Sequence, residues 1–384
     1  MKLKKDLHLI HVYSIATGAM ISSGLFVLPG LAHARAGPAV VVSYMLAGLL
    51  AATGLLSVAE LTTAMPKAGA DYFFVSRSMG AATGTIAGLL TWFSLSLKSA
   101  FALVGLAAFT RFVAPVDPHI AGLVFCVFFV GMNVIGVREA ARLQVGLVCV
   151  LLTLMVMYIV RGLPAVDVMN LQPFAPAGAR AIFATAGFVF VSYGGLLKVA
   201  SVAEEVDDPG RVIPHAMVLS LVTTGVAYAL MIFVTTGVLS SSVLDGSLTP
   251  ISDGAAAFMG MGGRTALSIA AILAFLTTAN GGIMAASRYL LAMGRDGLVP
   301  EPLGRVGARF GTPHVSIAAT GVLVATALFV KLDVLVQAAS VVFMMTYLLS
   351  NVAVVVLRES GLQNYRPRFR APGYPWVQIV GVLG

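Results

Sequence analysis

Apolar residues dominate this chain in long runs, and short polar or basic segments separate them. A window of about 20 apolar residues is what a helix needs to cross a bilayer. Read with that window, the chain predicts ten spans, near 9–34, 38–64, 84–111, 119–136, 141–161, 179–201, 214–239, 264–290, 315–330 and 334–357. Two of the runs carry a polar interruption at membrane depth. In the first, Thr17-Gly18 and Ser22-Ser23-Gly24 break the pattern, and Pro29-Gly30 follows. In the sixth, Ser192-Tyr193-Gly194-Gly195 does the same. Glycine costs about 1 kcal/mol against alanine inside a helix, so paired glycines invite unwinding. Unwound backbone in hydrocarbon leaves peptide groups unsatisfied unless they line a cavity or meet a ligand. Close helix packing is the plainer use of such glycines.

The two interruptions head successive groups of five spans. Five is odd, so the second group crosses in the opposite sense. Matching breaks in inverted halves point to the binding site of a secondary transporter. The expected architecture is an all-α polytopic membrane protein. A core over 1–361 holds one repeat at about 8–161 and another at about 179–357.

Composition agrees. Of 384 residues, 59% are hydrophobic and 10% charged, with mean hydropathy +0.95, against about 25% charged in soluble domains. The net charge of +8 follows from basic loops, not from a nucleic-acid surface. With a cytoplasmic N-terminus, 17 of the 24 Lys and Arg fall inside, 6 fall outside and Lys98 lies within a span. That is the positive-inside bias. The first apolar run is too long for a signal peptide and reads as an uncleaved helix. Cys126 and Cys149 imply neither a disulfide framework nor a metal site. No metal-binding, P-loop or nucleophile–base signature supports an enzyme, and no charged ring or repeated filter supports a channel.

Four stretches carry a family likeness. G-A-M-I-S-S-G-L-F-V-L-P (18–29), A-E-L-T-T-A-M-P-K-A-G-A-D-Y (59–72), S-Y-G-G (192–195) with A-E-E-V-D-D-P-G-R-V-I-P (203–214), and S-R-Y-L-L-A-M-G-R-D-G-L-V-P (287–300) stand in order along the chain. Together with Thr312-Pro313 they resemble the amino acid–polyamine–organocation (APC) permeases. The resemblance implies the five-plus-five inverted-repeat (LeuT-like) fold with discontinuous helices 1 and 6, and transport of amino acids or related amines. Family members often have glycine where Ser22 stands. Relatives usually have twelve spans, so 362–384 reads as a cytoplasmic linker and the start of an eleventh helix.

The half-helix after the first break presents N–H groups at its positive end, a seat for a carboxylate. The peptide groups around Ser23, Gly24 and Leu25, next to Ile21, are the candidates, with the Ser22 and Ser23 hydroxyls. The carbonyls of Phe190, Val191 and Ser192, ahead of Gly194, can accept from a substrate ammonium, and Tyr193 can wall the site.

Lys98 sits near the middle of span 3, where a lysine costs about 3 kcal/mol on insertion scales. Three roles fit it: a proton carrier coupled to transport, a fixed cation bonded to freed carbonyls of the broken helices, or an amine that snorkels to an interface. Some proton-coupled relatives carry a lysine on the fifth helix, but here none lies between Arg142 and Arg161. Sodium coupling is the competing mechanism, through the hydroxyls of Thr277 and Thr278, although helical hydroxyls commonly bond their own helix.

Glu60, or Glu204 and Glu205, could pair with Lys67, Arg77, Lys198 or Arg211 as an inner gate. Solvated loop charge is the alternative. Asn133, Asn280 and Asn351 are expected to join helices, and Trp92 and Trp376 to sit at interfaces. The reading is proton-linked amino acid transport in the cytoplasmic membrane. Its alternatives are an exchanger that needs no coupling ion, or an amino acid sensor that binds without flux.

Overall fold

The computed structural model describes residues 7–65, 70–110, 117–135, 140–195, 197–201, 203, 206–361 and 363–384. Among these the regular structure is helical, and the one extended pairing is a bridge between Leu7 and Val206. In chain order the helices are α1 (Leu9–Met20), α2 (Ser23–Phe26), α3 (Leu28–Ala36), α4 (Val40–Ala64), α5 (Ala70–Met79), α6 (Ala81–Thr110), α7 (Pro118–Ile135) and α8 (Ala140–Gly162). There follow α9 (Gly178–Val189), α10 (Leu197–Ser201), α11 (Pro209–Val238), α12 (Ser241–Leu244), α13 (Pro250–Arg295), α14 (His314–Ala327), α15 (Leu332–Glu359) and α16 (Trp376–Leu383).

Eight helical stretches among the described residues are long and apolar enough to cross a membrane, so the chain is a multi-pass membrane protein. Two more apolar helices, α1 and α14, are shorter. They fall where the first and ninth spans are expected. α13 is longer than its expected span because a further segment precedes it across Gly260, whose φ of +64° is non-helical.

Burial orders the helices from centre to rim. α6 buries 72% of its most apolar window and α7 only 28%, so α6 is central and α7 peripheral. α6 packs against α13 and α15, α4 against α11 and α9, and α1 against α11. The outward sides of the rim carry bare apolar side chains, such as Val124, Val127 and Phe128 on α7 and Val222 and Val226 on α11. Such surface is stable against lipid tails and unstable against water.

Intramembrane amides join helices as expected. Asn133 donates to Asn280 at 2.8 Å, and Asn351 accepts from Ser57 at 2.7 Å. Trp376 is exposed. The Trp92 indole N–H donates to Thr320 of α14 at 3.0 Å.

Candidate functional site

The helical backbone of α1 stops at Met20. Ile21 is extended (φ −69°, ψ 100°), its N–H still donates to Thr17 O, and helical geometry resumes at Ser23. α9 stops at Val189 and tightens into a 3-10 turn over Phe190–Tyr193. Gly194 is then extended, and Gly195 takes φ +127°, a conformation open to glycine and strained for other residues.

These two interruptions lie against each other. A methyl group added at Gly24 would stand 2.6 Å from Ser192 Cα, and one at Gly195 would stand 2.7 Å from Ala19 O. The Ser192 hydroxyl donates to Gly24 O at 3.2 Å. Ile21, Ser22, Ser23, Gly24, Leu25, Phe190, Val191, Ser192, Tyr193 and Gly194 are all buried. The sequence placed them in two stretches, and the fold brings those stretches together.

The peptide groups divide by whether they are bonded. Leu25 N–H donates to Ser22 O at 3.0 Å, so it is not available to a ligand as expected. Among the described residues, the N–H groups of Ser23 and Gly24 have no acceptor and the buried Ser23 hydroxyl has no partner. The Ser22 hydroxyl turns back to Met20 O at 3.4 Å. On the other stretch, Val191 O accepts from Gly194 N–H at 3.1 Å.

Lys98, on α6, is 2% exposed. Its amine donates to Ala19 O at 2.9 Å and also to Gly194 O, one carbonyl from each interruption. The face of Phe343 lies 6.0 Å away, within range of a cation–π contact. No carboxylate among the described residues pairs with the amine. An amine held in this way does not snorkel.

Thr277 bonds back to Ala274 O at 3.0 Å, while the buried Thr278 hydroxyl has no partner among the described residues. Glu60 pairs with Arg358, a cation the sequence reading did not name. Its carboxylate accepts from Arg358 Nε at 2.8 Å, Tyr365 OH at 2.8 Å and Ala371 N–H at 2.7 Å, and a second Arg358 nitrogen completes the fork. Glu204, Glu205 and Lys67 lie outside the described residues.

Three side chains that the sequence did not single out complete the surround. Tyr44 of α4 donates to Gly24 O at 2.7 Å, and Tyr228 of α11 donates to Met20 O at 2.8 Å. Ser340 of α15 accepts from Val191 N–H at 3.1 Å and donates to Phe188 O at 2.7 Å. Tyr193 OH donates to Tyr44 O at 2.9 Å, so the expected wall is tied to α4. A tyrosine in an apolar helix carries no sequence signal that separates such a bond from ordinary packing.

Residues 7–384 match the family model described as "Amino acid permease". The chain is similar to the branched-chain amino acid permease BcaP of Bacillus subtilis, at 28% identity over 99% of this chain and 86% of that one. It is similar to the same organism's methylthioribose transporter, at 28% identity over 98% and 86%. It is similar also to cationic amino acid transporter 1 of Arabidopsis thaliana, at 28% identity over 93% and 63%.

Proposed function

Because the chain belongs to the amino acid permease family, we propose that it carries an amino acid across the cytoplasmic membrane by alternating access, as a proton-linked secondary transporter. One observation supports the site most directly. Two helical interruptions face each other in a buried position, with unbonded N–H groups at Ser23 and Gly24 on one side and peptide carbonyls of 190–192 on the other. A zwitterion needs both poles, and peptide groups at membrane depth need polar partners. The N–H pair would seat the carboxylate, and the carbonyl side would receive an ammonium. The named branched-chain and cationic relatives favour an amino acid as the solute.

The architecture that goes with this reading is five-plus-five. Repeats at about 8–161 and 179–357 are inverted with respect to each other, helices 1 and 6 are discontinuous, and the N-terminus is cytoplasmic. Rocking of one repeat against the other would expose the site to each side in turn.

Lys98 is the proposed coupling group. It touches both interruptions and pairs with no carboxylate among the described residues, so a proton gained or lost there would change the bonds holding them together. The same geometry suits a permanently charged strut, and this is the observation that favours the second reading, exchange without a coupling ion. Sodium at Thr277 and Thr278 is the weaker proposal, since one hydroxyl is spent on its own helix.

Radiolabelled amino acid uptake into proteoliposomes, with and without an inward proton gradient, tests the reading. Uptake driven by the gradient and lost in Lys98→Ala supports coupling through Lys98. Uptake that ignores pH and requires internal amino acid supports exchange. Binding without flux under either condition leaves a sensor.

A further inference from the structure

Two carbonyl oxygens and an aromatic face are what a protein offers to an alkylammonium ion. Carbonyls accept its N–H groups in charge-assisted bonds, and the ring quadrupole attracts the charge. Ala19 O, Gly194 O and the Phe343 ring make such a cage at the meeting of the two interruptions. It is built from buried parts: Ala19 is 4% exposed and Phe343 0%. The cage holds the amine of the chain's own Lys98.

We infer that Lys98 serves as a resident ammonium in the substrate site, so that the permease recognises carboxylates whether or not they carry an α-amino group. The inference rests on the amino acid reading of the site and narrows its chemistry. Three observations bear on it. Lys98 spans from α6 to carbonyls of both interruptions, 79 and 96 positions away in sequence, so it occupies the junction and not one wall. The amine has no carboxylate neighbour among the described residues, so a bound anion would be its first counter-charge. Gly194 O already holds the Lys98 amine and lies two residues along the chain from Ser192, so an ammonium on the carbonyls of this stretch would add a like charge to it. A solute with a carboxylate and no α-ammonium avoids that repulsion. Lys98 is thus a specificity-determining residue: it takes over one pole of recognition.

The test measures binding and does not require flux. Thermal stabilisation of the purified full chain would be titrated with L-leucine, with its deaminated analogue 4-methylpentanoate, and with its decarboxylated analogue 3-methylbutylamine. The expected result is half-saturation by 4-methylpentanoate within about threefold of leucine, and no stabilisation by the amine. Removing Lys98 as Lys98→Met should weaken 4-methylpentanoate by about tenfold or more, the scale of a charge-assisted hydrogen bond, and leucine by less, because leucine keeps its own ammonium. Lys98→Arg should keep the carboxylate.

Wild-type protein that binds leucine and ignores 4-methylpentanoate overturns the inference, whatever the variants do, so poor folding of Lys98→Met cannot shelter it. Binding of 4-methylpentanoate without binding of leucine supports it and removes the amino acid reading instead. Binding of neither acid, with 3-methylbutylamine bound, overturns both.

Discussion

The amine of Lys98 and the carbonyl oxygen of Ala19 stand 2.9 Å apart, and the same amine reaches Gly194 O. A single side chain therefore ties the end of α1 to the end of the 3-10 turn after α9. Interruptions in membrane helices are stable only when their freed peptide groups are satisfied, and here the bundle's own lysine satisfies one carbonyl of each. Lys98→Met fills the same space and removes the donor. Leaving two buried carbonyls short of a donor costs about 1–3 kcal/mol each. The expected outcome is a thermal midpoint several degrees lower in detergent, read by the loss of monodisperse protein on heating. A midpoint unchanged from wild type would mean that the two bonds contribute nothing.

Gly24 and Gly195 are where the interruptions touch. Gly24→Ala drives a methyl group to 2.6 Å from Ser192 Cα, which is backbone and cannot rotate away. Gly195→Ala adds the strain of φ +127° to a 2.7 Å approach to Ala19 O. Overpacking of this kind costs about 1–3 kcal/mol. It would also push apart the two stretches that make the proposed site, so uptake should fall by about tenfold or more. Gly131→Ala, with nothing within 4 Å, is the neutral comparison. Equal uptake by all three variants would show that the close approach has no functional weight.

Much of this was legible in the sequence, and its limits have physical causes. Serine and glycine runs weaken a helix, so 22–24 and 192–195 marked the neighbourhoods where the helical backbone stops. Lys98 announced itself by its cost. Its bonding partners did not, because a main-chain carbonyl is the same at every residue and only the fold says which ones are left free. The Arg358 partner of Glu60 was hidden for a related reason. Arg77 and Arg211 lay in the expected loops, while Arg358, 298 positions away, looked like the ordinary basic end of a span. Tyr44 and Tyr228 were silent because an apolar helix uses tyrosine for bulk as readily as for its hydroxyl.

Those two tyrosines allow a finer test. Tyr44→Phe and Tyr228→Phe each remove one hydrogen bond to the first interruption, at Gly24 O and Met20 O, and keep the ring. Each should cost about 1 kcal/mol. The rings pack edge to face with centroids 5.8 Å apart, and neighbours that share a structural element couple in double-mutant cycles. The double variant should therefore depart from additivity by about 0.5 kcal/mol or more in denaturant unfolding. Strict additivity would mean that the two carbonyls are held independently.

Glu60 sets the last prediction. Its carboxylate is fully buried at the end of α4 and gathers Arg358 from α15 with Tyr365 and the Ala371 N–H from the segment that follows. Thr63 adds a contact to Phe369 N–H at 3.3 Å, and Arg368 reaches Asp208 at 2.8 Å, so the segment straps α4 to the start of α11. Removing one partner of a buried ion pair costs about 3–5 kcal/mol, since the other charge is stranded. Glu60→Gln should release the strap and expose the bonds after Arg368 and Arg370 to trypsin much faster than in wild type. Alkali should act on the same strap. Burial, with the Glu60 carboxylate beside it, raises the Tyr365 phenol well above its ordinary value. A group raised on folding contributes stability that is whole below its unfolded value, about pH 10 for tyrosine, and fades as the pH climbs past it. Tryptic release should therefore be flat from neutrality to about pH 9 and steepen above about pH 10. Tyr365→Phe should lose the steepening. A strap that opens with the same pH profile in Tyr365→Phe would place the alkaline sensitivity elsewhere.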